Sequence, residues 1–318
     1  MSNILVLGGT GFVGRSLCAR LVARSGGAAG CIAVATRRAS NARQIQLLPT
    51  LEVIEADVHD QAALNRLVKG HDAVVNLVAV LHGNEAQFHQ VHVALPRKLA
   101  QACADNGVRR LVHVSALGAS DAAPSRYLRS KAAGETQLKA ARLDLTLLRP
   151  SVIFGEGDRF LNLFAQLQAF LPLLPLAGAD ARFQPVWVED VTAAIVNCLD
   201  DTHTIGMTLE CAGPDVRSLA ELARLAGRWS GHERRIVPLP ASLARLQATL
   251  MEMLPGTPLI SRDNLDSMRV PSVASGQLPG LSRVGIRASA LDAVVPLYLS
   301  AGQGVARLDR LRARARRV

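Results

Sequence analysis

Short apolar runs alternate with segments of helical periodicity along the first half of this 318-residue chain. Such runs predict buried strands, and an apolar residue every three or four positions predicts a helix with one buried face. We predict strands at residues 3–7, 31–35, 51–54, 73–78, 110–114 and 145–148. We predict helices at residues 12–25, 42–48, 61–69, 85–106 and 125–142.

Alternating apolar strands and helices form a parallel sheet that is covered by helices on both faces. Because crossovers between parallel strands are right-handed, a doubly wound α/β fold is the simplest topology. After Pro150 the alternation loosens and prolines become frequent. We predict a first domain at residues 1–150 with returning segments from 150–200, a smaller C-terminal substrate-side region at 151–305, and a basic tail at 306–318.

The second half of the chain gives weaker signals. Residues 187–199 predict a strand edge leading into a helix, 218–230 an amphipathic helix, and 238–258 a helix between prolines. Residues 259–279 are polar and irregular, as in a lid or cover, and no pattern indicates an independent second core. The apolar segment 170–176 predicts core packing first, and a pocket for an apolar substrate or a membrane contact second.

The formal net charge of +10 suggests nucleic acid, but its distribution argues against such a partner. Residues 307–318 carry six arginines and one aspartate, so half of the excess charge lies in the tail. Aromatic residues make up 3% of the chain, too few for a base-stacking surface. The tail fits either adsorption to an anionic membrane or a solubilising role.

Five cysteines, an odd number without CxxC spacing, predict reduced thiols rather than a disulfide framework or a zinc site. The sequence shows neither a run of about 20 apolar residues nor a signal-peptide pattern. We therefore expect a cytoplasmic protein without a metal site.

Three glycines at positions 8, 11 and 14 have the form GxxGxxG. They follow the first predicted strand directly and open the first helix, which is the context of a Rossmann-type dinucleotide-binding turn. The helix N-terminus then offers free N–H groups to the pyrophosphate. The predicted cofactor contacts here are Gly8, Thr10, Gly11, Phe12, Val13 and Gly14; a plain glycine-rich turn is the alternative.

The second predicted strand ends in Arg37 and Arg38, where NAD enzymes place an acid that holds the ribose hydroxyls. Paired guanidiniums can clamp a 2′-phosphate, so the sequence favours NADP(H). NAD(H) is the alternative if both arginines are merely solvated. Asp57 and Val58 after the third strand fit an adenine contact, with the carboxylate accepting from the amino group and the backbone N–H donating to the ring.

Tyr127 and Lys131 have YxxxK spacing in a chain with two tyrosines and four lysines. Residues i and i+4 share a helix face, so the phenol and the ammonium converge. A nearby ammonium lowers the pKa of a phenol, which suits a general acid/base near neutral pH. Ser115, just past the fifth strand, is placed to hold a substrate carbonyl or hydroxyl. The alternative is a surface tyrosine beside a helix lysine.

Together these features resemble the short-chain dehydrogenase/reductase superfamily of extended or atypical type. Five segments narrow the resemblance to the family of the nucleotide-binding accessory subunit of respiratory complex I and its bacterial relatives. They read VHVSALGA (112–119), SRYLRSKAAGE (125–135), LRPSVIFG (148–155), VWVEDV (186–191) and PLISRDN (258–264). The resemblance extends to about Gly302.

The resemblance implies bound NADP(H) and a role near quinones or the membrane. It implies that the nucleotide bound by the complex I subunit has a structural rather than a catalytic role. It also implies that other relatives are linked to ubiquinone biosynthesis. His92 departs from the pattern, since many relatives carry an asparagine there that helps to order a proton-relay water. Residues that the resemblance places beside the nicotinamide are Leu77, Val78, Pro150, Val152 and Ile153.

Two functional hypotheses stay open. In the first, the protein is an NADP(H)-dependent oxidoreductase for a small or quinone-related substrate, with Tyr127, Lys131 and Ser115 as catalytic residues. Lys131 would also bind the nicotinamide ribose of the cofactor. In the second, it is a non-catalytic, NADP(H)-stabilised accessory or assembly protein linked to respiratory complex I or ubiquinone biosynthesis. The basic tail would then contact a membrane surface or the respiratory complex, with the protein peripheral on the inner membrane.

Overall fold

A computed structural model describes residues 3–25, 30–256 and 258–300. The chain divides into two compact units. The first comprises Met1–Pro150, Glu189–Cys211 and Ala274–Arg287, and the second comprises Ser151–Val188, Ala212–Val273 and Ala288–Val318. The predicted basic tail lies outside the described residues.

The described strands, in chain order, are β1 (Ile4–Leu7), β2 (Ile32–Thr36), β3 (Leu51–Glu55), β4 (Ala73–Asn76), β5 (Arg110–Val114), β6 (Asp144–Pro150), β7 (Ile153–Phe154), β8 (Leu173–Leu176), β9 (Arg182–Phe183), β10 (Val186–Trp187), β11 (Thr208–Cys211), β12 (Arg217–Ser218) and β13 (Arg235–Pro238). The first unit holds a seven-stranded parallel sheet in the order β11-β6-β5-β4-β1-β2-β3. β1, β2 and β4 are buried along their whole length, which explains their nearly continuous apolar sequences. The predicted doubly wound fold is confirmed. Its strand order reverses at β1 and β4, where such sheets open a crevice for ligands.

The described α-helices are α1 (Phe12–Ser25), α2 (Gln61–Val68), α3 (Glu85–His89), α4 (Leu95–Asp105), α5 (Arg126–Lys139), α6 (Leu161–Phe170), α7 (Val188–Asp200), α8 (Leu219–Ser230), α9 (Ala241–Met253), α10 (Arg262–Ser267) and α11 (Leu291–Leu299). Polar side chains fix several starts: Asp60 caps α2, Ser125 caps α5, and Ser218 forms a capping box at α8. None of the helices described has the length and apolar character of a membrane span.

The helix predicted at 85–106 is interrupted by a π-helical turn, Gln90–Ala94, between α3 and α4. Pro96 explains the interruption, because it has no backbone N–H to donate to the carbonyl of His92 four residues earlier. α5 packs against the freed carbonyl: a Cβ built on Gly134 would lie 1.9 Å from the His92 oxygen. The sequence pattern did not reveal this turn.

The helix predicted at 42–48 is wrong. A 3₁₀ helix, Ala39–Ala42, occupies the start of this region, and hydrogen-bonded turns follow it. The segment buries Ala42 and Ile45 but leaves Leu47 89% exposed, so it lacks a continuous buried face. Pro49 further disfavours a helical conformation at the residue before it.

The second unit has hydrophobic clusters of its own, contrary to the expectation of no second core. One cluster joins α6, α8 and α11, and another joins β8 to α8. The segment 170–176 is divided: Leu174 and Leu176 are buried, as core packing predicts, but its first residues are exposed. The region predicted as irregular contains α10, which Ser261 and Asn264 start with a capping box.

Candidate nucleotide-binding and active site

The glycine turn between β1 and α1 is closed by a hydrogen bond from Gly11 N to the Gly8 carbonyl, 3.0 Å long. Gly8 has φ +84°, a conformation that other residues rarely adopt. A Cβ on Gly14 would lie 2.3 Å from the Gly8 oxygen, so the helix packs directly on the turn. Thr10, Gly11, Phe12 and Val13 lie between them and form the turn and the N-terminus of α1.

The first N–H groups of a helix have no partner within the helix, and the first turn of α1 carries no acidic residue that would repel an anion. The turn therefore fits the pyrophosphate of a dinucleotide. Leu77 and Val78 follow β4 and border this turn, since a Cβ on Gly8 would lie 3.1 Å from the Leu77 carbonyl carbon. Their backbone N–H groups donate to Leu7 O at 2.9 Å and to Asn76 Oδ1 at 3.1 Å.

The predicted adenosine side lies at the ends of β2 and β3. Arg37 and Arg38 directly follow β2, and both are exposed. Asp57 is exposed too, and its Oδ1 accepts from the backbone N–H of His59 at 2.9 Å. Burial lowers the pKa of His59, the charge of Asp57 opposes this shift, and the charges of Lys98 and Arg37 add to it. Arg37 therefore lies close enough to this edge to act on its electrostatics.

Two features of this edge differ from a simple ribose and adenine contact. Val58 is 9% exposed and its side chain belongs to the hydrophobic core, so only its backbone is available to a ligand. Glu55, which the sequence did not single out, accepts from the backbone N–H of Ala39 through Oε2 at 3.0 Å. This carboxylate is thus engaged in holding the turn that carries the arginines.

Tyr127 and Lys131 lie one turn apart on α5, whose start is fixed by Ser125 Oγ accepting from Leu128 N. Lys131 is 2% exposed, and its Nζ donates to the Val114 carbonyl at the end of β5 at 2.9 Å. Burial lowers the pKa of Lys131 to about 8, against the opposing effect of Glu135. Burial also raises the pKa of Tyr127 to about 12. Burial thus favours the protonated phenol, and the expectation that the lysine lowers the pKa of Tyr127 stays a prediction.

His92 in the π-helical turn is fixed by both ring nitrogens. Its Nε2 accepts from Val80 N at 3.1 Å, and its Nδ1 lies 2.8 Å from Ser130 Oγ. Ser130 Oγ in turn donates to the Tyr127 carbonyl at 2.7 Å. An accepting Nε2 places the proton on Nδ1, so the chain of hydrogen bonds requires neutral imidazole. Burial, with the charge of Lys131, lowers the pKa of His92 to about 3.

Aromatic rings surround Tyr127. The His92 ring meets it edge-on at 5.5 Å between centroids, and Phe88 meets it edge-on at 6.1 Å. Phe88 also stacks on His92 at 5.7 Å. His92 thus positions Tyr127 in two ways: its ring contacts the tyrosine ring directly, and its Nδ1 reaches the tyrosine carbonyl through Ser130. No sequence signal indicated this role.

A second buried histidine was missed. His113 on β5 pairs in register with Asn76 on β4, and His113 Nδ1 lies 3.1 Å from Asn76 Nδ2. Asn76 Oδ1 is used by Val78 N, so the amide donates to the ring. Burial holds the pKa of His113 well below its usual value, and the charge of Lys131 adds to the effect. The pair braces the carboxyl ends of the two strands.

Ser115 is buried at 4% exposure beside Glu135 rather than in open solvent. Its hydroxyl makes no hydrogen bond of ordinary geometry, although it helps to lower the pKa of Glu135. Burial alone would raise that pKa, but two hydrogen bonds from Arg149, at 2.8 and 2.6 Å, hold it below its usual value. Ser115 is thus part of a buried ionic cluster.

The residues predicted to border the nicotinamide fall in two units. Pro150 ends β6 in the first unit, where its carbonyl accepts from Leu117 N at 2.9 Å. Val152 and Ile153 belong to the second unit. There the Val152 carbonyl accepts from Val186 N at 3.0 Å, and Ile153 pairs with Val186 between β7 and β10.

The doubly wound sheet, the glycine turn at a helix N-terminus and the Tyr127–Lys131 pair define an NAD(P)-binding protein of the extended short-chain dehydrogenase/reductase type. The sequence model of a family described as NAD(P)H-binding matches residues 8–170. The chain belongs to this family and is related to NADH dehydrogenase (ubiquinone) 1 alpha subcomplex subunit 9.

The mouse subunit is 32% identical over 295 residues, which cover 90% of this chain and 77% of the relative. The Arabidopsis thaliana subunit is 32% identical over 288 residues, 85% of this chain and 70% of the relative. A ceramide reductase of Caulobacter vibrioides is 30% identical over 240 residues, 74% of this chain and 73% of the relative.

Solved structures support the fold. A nucleoside-diphosphate-sugar epimerase from Staphylococcus aureus has a TM-score of 0.72 at 16% identity, covering 92% of this chain and 99% of that one. A UDP-glucuronic acid 4-epimerase from Bacillus cereus, in complex with UDP-glucuronic acid and NAD, has a TM-score of 0.64 at 19% identity, covering 84% and 99%. At these identities the likeness concerns the fold alone.

Proposed function

We propose that the protein is an NADP(H)-dependent oxidoreductase that reduces the carbonyl group of a small or quinone-related substrate. The observation that carries the proposal is the Tyr127–Lys131 pair, held on one face of α5 at the end of β5. Bound NADPH would supply the hydride. Gly8, Thr10, Gly11, Phe12, Val13 and Gly14 would hold its pyrophosphate, and Leu77 and Val78 would border the nicotinamide.

Tyr127 would supply the proton from Oη to the carbonyl oxygen of the substrate. A pKa raised to about 12 keeps the phenol protonated at neutral pH, as a proton donor must be. Lys131, with its pKa lowered to about 8, can bind and release a proton near neutrality, and its charged form would stabilise the phenolate that remains. Ser115 would have to turn from Glu135 to hold the substrate.

The preference for NADP(H) rests on Arg37 and Arg38. Both are exposed beyond β2 and free to meet a 2′-phosphate. Arg37→Ala with Arg38→Ala should weaken NADPH binding about 10- to 100-fold and leave NADH binding unchanged. Arg142→Ala, at another exposed arginine, is the matched control. Equal weakening of both nucleotides, or of neither, would contradict the assignment.

Single-turnover oxidation of NADPH with quinone and carbonyl substrates tests catalysis. Tyr127→Phe should lower the rate at least about 100-fold while NADPH binding persists, because the proton donor is lost. Tyr298→Phe changes the other tyrosine of the chain, whose hydroxyl bonds Asp158 in the second unit, and should leave the rate unchanged. An unchanged rate in the Tyr127 variant would exclude this phenol as the acid.

A second candidate is a non-catalytic, NADP(H)-stabilised accessory or assembly protein linked to respiratory complex I or ubiquinone biosynthesis. The placement of Ser115 against Glu135 favours it. His92 favours it too, because both of its ring nitrogens already have hydrogen-bond partners within the protein. The names of the relatives in mouse and Arabidopsis also support it. It predicts NADP(H) that exchanges slowly and raises the melting temperature strongly. Steady turnover of any substrate would contradict it.

A further inference from the structure

The end of α6, the start of β8 and the two residues between them expose consecutive apolar side chains. Phe170 is 87% exposed, Leu171 38% and Leu173 44%, with Pro172 between the leucines. We call residues 170–173 the apolar tip. Single exposed leucines are common, but an aromatic ring and two leucines together in one short segment mark a contact surface.

Two arginines flank the apolar tip. β8 pairs in parallel with β13, and this register places Arg235 opposite Leu173. Arg234 is tied to the end of α6: its backbone N–H donates to Gln168 Oε1 at 3.1 Å and its Nε to the Gln168 carbonyl at 3.0 Å. Both arginines are exposed, and in the described part of the chain no carboxylate lies within 4.0 Å of either guanidinium. Apolar and cationic residues thus lie side by side, and the Arg234 side chain is held in place.

We propose that the apolar tip, with Arg234 and Arg235, docks on the surface of an anionic phospholipid bilayer. Phe170 and Leu171 enter the boundary between headgroups and acyl chains, and the guanidiniums contact lipid phosphates. Three apolar side chains are too few for a stable protein interface, which buries about 1,200 Å² or more, but each one adds to partitioning into a bilayer. Arg234 and Arg235, both exposed, give this surface the positive charge that complements an anionic bilayer.

Co-sedimentation of the full chain with vesicles tests the proposal, using phosphatidylcholine with or without phosphatidylglycerol. Phe170→Ser with Leu171→Ser should weaken binding to the anionic vesicles at least about tenfold, and Arg235→Glu about tenfold. Leu47→Ser, at a leucine 89% exposed in the first unit, and Arg142→Glu are the matched controls and should bind as the unaltered protein does. Equal melting temperatures would show that all variants are folded.

Other outcomes would overturn the proposal. Equal binding by every variant would assign the interaction to the basic tail, and absence of binding by the unaltered protein would remove it altogether. α9 exposes a separate apolar face through Leu243, Leu246 and Leu250, at 50%, 55% and 56%. Loss of binding in Leu246→Ser with Leu250→Ser, but not in the tip variant, would place the contact there. Equal affinity for neutral vesicles would exclude a role for the arginines.

Discussion

Replacing His92 with glutamine should flatten the dependence of stability on pH in the acid range. In the folded protein burial lowers the pKa of His92 to about 3, from an ordinary value of 6.5. Between these two values the unfolded chain binds a proton that the folded protein does not bind. The free energy of unfolding therefore falls as the pH falls below 6.5.

The magnitude follows from the linkage relation. Between pH 8 and pH 5 the loss is RT ln(1 + 10^1.5), or about 2 kcal/mol, and it is nearly the same for any folded pKa below about 4. Glutamine carries no titrating group, and its amide can still accept from Val80 N and donate to Ser130 Oγ. The unaltered protein should thus lose about 2 kcal/mol more than His92→Gln over this range.

Urea unfolding at pH 8 and pH 5, followed by circular dichroism, measures the difference. His89→Gln, at an exposed position three residues earlier, controls for the loss of a histidine as such. His113 is present in all three proteins, so its own contribution cancels in the comparison. An equal loss in the unaltered protein and in His92→Gln would show that His92 is protonated in the folded state, and the hydrogen-bond chain to Tyr127 would be refuted.

Gly14→Ala places a Cβ 2.3 Å from the Gly8 oxygen, so urea unfolding should show about 2 kcal/mol of destabilisation, and NADPH should no longer raise the melting temperature. An unchanged melting response would contradict the role of the turn. Glu135→Gln leaves the Arg149 guanidinium without its anion and should cost about 2 kcal/mol at neutral pH. Because the folded pKa of Glu135 is lowered, this contribution is lost as the pH falls through that pKa, and the two proteins should converge in acid. A difference that persists in acid would indicate lost packing instead. Gly134→Ala, whose Cβ would meet the His92 oxygen at 1.9 Å, should destabilise by about 3 kcal/mol in the same assay; stability equal to that of the unaltered protein would show that the contact is not rigid.

Six strands of the sheet, β1 to β6, could be predicted because both faces of the sheet are covered, which leaves an uninterrupted apolar run such as that of β1. The seventh strand, β11, was not predicted. The glycine turn could be predicted because its chemistry is local: the tight turn and the helix N-terminus need particular residues at fixed offsets. The Tyr127–Lys131 pair followed from helical geometry alone.

The missing parts depend on contacts between distant residues. The π-helical turn arises from Pro96 but is accommodated by Gly134 on another helix. His92 gains its role from Val80 and Ser130, which lie 12 and 38 positions away. The pKa of Tyr127 rises because of burial, and burial is a property of the folded chain. Periodicity and spacing contain none of this information.

The discontinuity of the two units bears on how the protein is made. The chain crosses between them five times, and the edge strand β11 belongs to the sheet of the first unit. Glu210 in this strand is held from the far end of the chain, by its N–H donating to Pro279 O and its carboxylate accepting from Ser275 N. A nascent chain of 150 residues therefore carries the nucleotide turn but leaves the edge of β6 open to other strands. β11 covers that edge once the chain reaches Cys211, and the bonds to Ser275 and Pro279 hold β11 only later, so expression fragments that stop before β11 should aggregate where the full chain does not.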